Sequence, residues 1–152
     1  MQTNRNERLC RFAAGIVMAV SLCSAAARAD CTLSVGTLNF GTYDILNTAP
    51  LDSVATVTYS CEAVVSPTMS LSKGNAPNFS PRQMLQGTSA LAYNLYLDAA
   101  RTAVWGDGTA ATSTFACSIG TSLTVSIFGR VFAGQNLAVG SYSDNILATI
   151  TF

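Results

Sequence analysis

The chain of 152 residues contains no histidine. That absence removes the Ser-His-Asp and Cys-His nucleophilic arrangements at once. Charge is scarce too, at 11% of residues. Glycoside hydrolysis needs paired carboxylates, but Asp98 and Asp107 both fall in turn sequence and read as turn residues. No phosphate-cradling loop is present, since Gly106 and Gly108 lie in a hairpin-like turn with no helix after them. The cysteines have no ligand-like spacing and no histidine beside them, so no metal is expected. No enzyme, no cofactor and no small-molecule substrate are expected. Long apolar runs are also missing: the one at residues 12–23 is too short for a membrane-spanning helix, and no later segment is long enough.

That short run has another use. Arg5, Arg8 and Arg11 precede it, and Ala27-Arg28-Ala29 follows as an A-x-A site. Residues 1–29 are therefore expected to be a signal peptide, leaving a single domain at 30–152. Neither Cys23 nor Cys31 follows a lipidation pattern. The signal removes four of the eight basic residues, leaving four against seven acids, hence a net charge of −3. Nothing is left to neutralise phosphates, so nucleic acid is not an expected partner.

Three cysteines remain after export, where disulfides form. Cys31 shares a strand face with Leu33 and Val35; Cys61 shares one with Ala55, Val57 and Tyr59. Both point inward, which predicts a Cys31–Cys61 disulfide, worth roughly 3–4 kcal/mol in the chain-entropy model. Cys117 is left over, as a buried thiol or an intermolecular partner.

Alternation of period two marks strands throughout. Residues 31–40 read as the first, with a phase change at Gly36 of the kind a bulge makes. Residues 53–61 and a short piece at 67–72 follow. Pro77 and Pro81 make 73–87 a surface connection with a short segment at 82–85. At 90–98 a helix is conceivable from Ala and Leu, but alternation and two tyrosines favour strand. Trp105-Gly106-Asp107-Gly108 is a turn. Trp105 reads as a packing residue; the alternative is a surface-binding loop around Trp105 and Asp107 with the indole as a sugar platform. A short strand at 114–118 and a long one at 122–132 come next, with Leu123, Val125, Ile127 and Val131 on one face. Seven or so strands with regular turns indicate an all-β sandwich.

The final stretch organises the rest. After a turn cluster at 140–145, Ile146, Ala148, Ile150 and Phe152 alternate with Leu147, Thr149 and Thr151. The chain stops on a core-facing residue, as if one more strand were to come from another molecule.

These pieces together resemble the spore coat protein U domain, found in subunits of archaic chaperone–usher pili. The likeness rests on Cys31, Gly36-Thr37-Leu38-Asn39-Phe40-Gly41, Tyr43, Cys61, Arg82 with Met84, Tyr93-Asn94-Leu95-Tyr96 with Asp98, residues 105–108, Ile127-Phe128-Gly129-Arg130, and residues 140–144. It implies an incomplete immunoglobulin-like β-sandwich whose missing final strand is supplied in trans. It also implies a periplasmic chaperone, an outer-membrane usher and other pilus subunits as partners, passage through the periplasm to the cell surface, and a part in adhesion and biofilm formation. Ile146, Ala148, Ile150 and Phe152 are expected to form one wall of the acceptor groove, with Leu123, Val125 and Ile127 on its floor. With cleavage after Ala29, only Asp30 precedes Cys31, so the chain is expected to accept a strand without giving one, as a tip or minor subunit does. The alternatives are a self-sufficient secreted sandwich that binds carbohydrate or a surface, and a coat protein of a spore-like envelope.

Overall fold

The computed structural model of the chain describes residues 31–61, 67–118 and 122–151. The expected signal segment and Phe152 lie outside the described residues. Among these, the regular elements are strands: β1 Cys31–Val35, β2 Leu51–Cys61, β3 Thr68–Leu71, β4 Arg82–Gln86, β5 Ser89–Tyr96, β6 Phe115–Ala116, β7 Leu123–Val131 and β8 Ala148–Thr151. They form a five-stranded sheet in the order β1-β2-β7-β5-β4 and a three-stranded sheet in the order β6-β3-β8. Every pairing is antiparallel.

The alternation does what it predicts. On β2, Ala55, Val57, Tyr59 and Cys61 are buried, while Val54, Thr56 and Thr58 turn outward. Tyr59 lies opposite Leu123, Val57 opposite Val125 and Ala55 opposite Ile127, so β7 presents the same face. Strand β5 settles the helix alternative: its Leu91, Tyr93 and Leu95 are core residues, and β4 and β7 flank it. Cys31 pairs with Cys61 in register, Cα atoms 4.2 Å apart, and a disulfide joins them. Cys117 is a free, buried thiol, and burial pushes its pKa up.

Two features hold the sheets together. Trp105 is fully buried; its indole N–H donates to Met69 O (3.1 Å) and its backbone N–H to Leu95 O (2.9 Å). Leu71 N–H donates to Gly106 O (3.1 Å), so residues 105–106 stitch β5 to β3 and close one side of the sandwich. Beneath them, Arg82 is also 0% exposed. It donates to Ser72 O (3.0 Å), Asn94 Oδ1 (2.7 Å) and Trp105 O (2.6 Å), with Phe79 packed 5.3 Å from the guanidinium carbon. Burial lowers its pKa, and neutral oxygens rather than a carboxylate satisfy its charge.

Candidate functional site

The loop residues singled out in the sequence are engaged within the fold. Trp105 is 0% exposed, which corrects the idea of a surface-binding platform: the indole faces Phe115 and Met69, and no ring face meets solvent. Asp107 is exposed, but its Oδ1 accepts from the N–H and hydroxyl of Thr109 (2.9 and 2.6 Å), holding its own turn. Those bonds, the hydroxyl first, keep its carboxyl below the usual range. Asp98 likewise accepts from Thr102 and Ala103 (2.7 Å from the Ala103 N–H).

Opposite the side closed by Trp105, the sandwich is open. One wall is residues 35–45, the continuation of β1. Gly36 N–H donates to Thr56 O (2.9 Å), and from there Leu38 and Phe40 turn inward, as the phase change predicts. They lie over Gly129 on β7, where a Cβ would come within 2.6 Å of Leu38 and 2.7 Å of Phe40. The second wall is residues 137–148, tied to β4 by reciprocal backbone bonds between Leu85 and Ser143 (2.8 and 3.2 Å). Asp144 anchors it further, accepting from the Tyr93 hydroxyl (2.7 Å) and from Asn75 N–H (2.9 Å). That partner and burial raise the Tyr93 pKa, burial most.

Between the walls run two joined chambers. One, of about 430 Å³, is floored by Leu71, Leu95 and Ile127 and flanked by Val35–Leu38 on one side and Ile146 with Ala148 on the other. The second, of about 700 Å³, is floored by Leu51, Leu91 and Val131. Leu38, Phe40, Met84 and Tyr142 line both and mark the neck. Residue numbers rise along one wall as they fall along the other, so a strand laid between them would be parallel to one and antiparallel to the other.

Both walls present unused backbone. Ser72 N–H donates to Leu147 O (2.9 Å), so Leu147, Thr149 and Thr151 turn their backbone groups toward β3. Those of Ile146 and Ala148 face the opening, and Ile150 continues the same edge beyond it. By the same parity, the Gly36–Thr56 bond assigns Thr32 and Ser34 to β2 and leaves Leu33 and Val35 facing out. The inward side chains tell the same story. On β2 they are buried, but on β8 Ala148 and Ile150 are half-buried, and Val35 on β1 is 50% exposed.

Of the expected groove residues, Ile127, Ile146 and Ala148 meet in this cleft. Ile150, opposite Met69, and Val125, opposite Val57, pack against the core beyond its lining; Leu123 is 37% exposed at the disulfide end of β7. Phe152 lies outside the described residues. Sequence reasoning missed the wall at 35–45 and the floor from Leu71, Leu91 and Leu95. The phase change at Gly36 was the signal for the former, since it sends Leu38 and Phe40 to a different neighbour.

The Spore Coat Protein U domain family matches residues 17–149. The chain belongs to that family. Protein U of Myxococcus xanthus is 34% identical over 130 residues, covering 77% of this chain and 72% of the relative. Among solved structures, the chain is similar to one in the crystal structure of the CsuC–CsuE chaperone–tip adhesion subunit pre-assembly complex from the archaic chaperone–usher Csu pili of Acinetobacter baumannii. The TM-score is 0.60 at 20% identity; the match covers 82% of this chain but only 40% of that one. The likeness establishes an immunoglobulin-like sandwich. Several residues that carry the family resemblance build the groove: Leu38 and Phe40 line it, Gly129 seats them, and Tyr93 with Asp144 fixes the second wall.

Proposed function

We propose that the protein is an exported structural subunit of a chaperone–usher type surface pilus. Its open groove takes a strand lent first by a periplasmic chaperone and then, at the outer-membrane usher, by a neighbouring subunit. Residues 1–29 direct export and are removed. The observation that carries this reading is the pair of unpaired strand edges, at Val35 and at Ile146 to Ala148, facing one apolar cleft. An exposed edge beside an apolar cleft invites aggregation unless it is covered. A strand covering it would gain about 1 kcal/mol net per backbone bond and draw specificity from its inward side chains. The disulfide suits the oxidising periplasm. Similarity to a chain in a chaperone–subunit complex favours the same reading.

The position we assign within the fibre is the tip or a minor site, because cleavage after Ala29 leaves no segment to donate; adhesion and biofilm formation follow from that place. Co-expression with a chaperone of the same secretion system tests the acceptor role. The wild type should be recovered as a soluble one-to-one complex, and Ala148→Asp should not. Gold labelling of intact fibres tests the position, with label at one end expected and label along the shaft contradicting it. A second reading, a coat protein of a spore-like envelope, is favoured by the family description and by the 34% identity to Protein U. Recovery in an envelope fraction, with none in sheared surface fibres, would select it.

A further inference from the structure

The groove has one barred end. Its floor stops where β2 begins and β7 finishes, at the Leu51–Val131 pair. Just beyond, the two walls are tied together: Tyr43, on the first, accepts a hydrogen bond from the backbone N–H of Gln135, at the foot of the second (2.8 Å). Gln135 is itself immobilised. Its side-chain amide copies a strand partner, accepting from Ala92 N–H (2.7 Å) and donating to Ala92 O (2.9 Å), and it also donates to Phe132 O (2.8 Å). The bridge is thus fastened to β5, an interior strand of the larger sheet. Such a tie between the walls is not found at the other end, where Val35 and Ala148 flank the cleft, among the described residues.

From this we infer that the Tyr43–Gln135 bridge is a register stop: a strand entering the groove runs from the Ala148 end toward Tyr43 and must end, or turn out of the sheet, at the bridge. The inference rests on the strand-acceptor reading above. It assigns Tyr43 a positioning role and gives the occupant a definite form. That occupant is an extended segment of about ten residues at roughly 3.3 Å each, apolar at alternate positions, whose leading end lies among Tyr43, Leu137 and Leu51. A strand without a stop could slide in steps of two residues and keep its apolar face inward; the bridge removes that freedom.

The test uses synthetic peptides of alternating Val and Thr, twelve residues long, with a photo-reactive benzoylphenylalanine at one terminus or the other. The exported chain is refolded with each and irradiated, and the cross-linked residues are mapped. In the wild type, one of the two labels should attach in a narrow band around Tyr43 and Leu137. In Tyr43→Phe, which keeps the ring and loses only the hydroxyl, the band should spread by two or more residues into 44–47 and 134–136. Lengthening the leading end by two residues should leave wild-type affinity unchanged and raise that of the variant several-fold. Identical narrow bands in both proteins would overturn the register stop while leaving the acceptor groove standing. Failure of the wild type to capture either peptide would remove the groove reading, and the stop with it.

Discussion

Arg82 is the side chain on which most of the interior depends. It puts a full charge among Ser72, Asn94 and Trp105 and meets only neutral oxygens. Arg82→Ala would leave those buried acceptors without their donor and open a void, at about 1–3 kcal/mol for each group left unsatisfied. Urea unfolding should show a large fall in midpoint, and Arg82→Lys should recover only part of it, because one ammonium cannot copy a planar fork. Trp105 allows a direct check on the rejected sugar platform. Its emission should be blue-shifted, resistant to iodide and unchanged by added glycans; a red-shifted indole that responds to sugar would contradict its burial. Asp52 contributes to the pH dependence. The bidentate hydrogen bonds from Arg130 (2.7 and 2.8 Å) hold its carboxyl below the usual range, with Arg101 adding to the effect. A carboxylate with a depressed folded pKa stabilises above its unfolded pKa, about 4, and that contribution is lost as pH falls through the folded value. Stability should therefore drop below about pH 4, and Asp52→Asn should flatten that part of the curve.

Strands were legible where their residues alternate in place. β2, β5 and β7 could be read because inward Val, Tyr, Leu and Ile recur every second residue, and the Cys31–Cys61 disulfide followed from shared phase. Burial on β5 was less legible, because Asn94 and Tyr96 face away from Tyr93 and Leu95 and are buried as well. Arg82 donates to the Asn94 side chain, and residues 103–105 return along the edge of β5; such contacts leave no periodic trace. The groove was half legible for the same reason. Its β8 wall lies in one alternating stretch, but its floor is assembled from β2, β3, β5 and β7, whose convergence local pattern does not encode. Gly129 is where the first wall of the groove packs against β7. A methyl there would strike Leu38 and Phe40, so Gly129→Ala should cost about 1–3 kcal/mol by overpacking and push residues 36–40 outward. Calorimetry would show the loss, and weakened strand capture would show the displaced wall.

The molecule as a whole is a sandwich sealed on one side by Trp105 and its neighbours and left open on the other. On the strand-acceptor reading proposed above, β1 and β8 are vacant edges that take one strand. Amide hydrogen exchange tests this most directly, on the exported chain alone and in complex with a co-expressed chaperone. In the free chain, the amides of Leu33, Val35, Ile146, Ala148 and Ile150 should exchange quickly, while Thr149 and Thr151, bonded to β3, are slower. In the complex, the amides of Val35, Ile146 and Ala148 at least, which flank the cleft, should become protected together. Protection of that set already present in the free chain, or its continued rapid exchange in the complex, would contradict the claim.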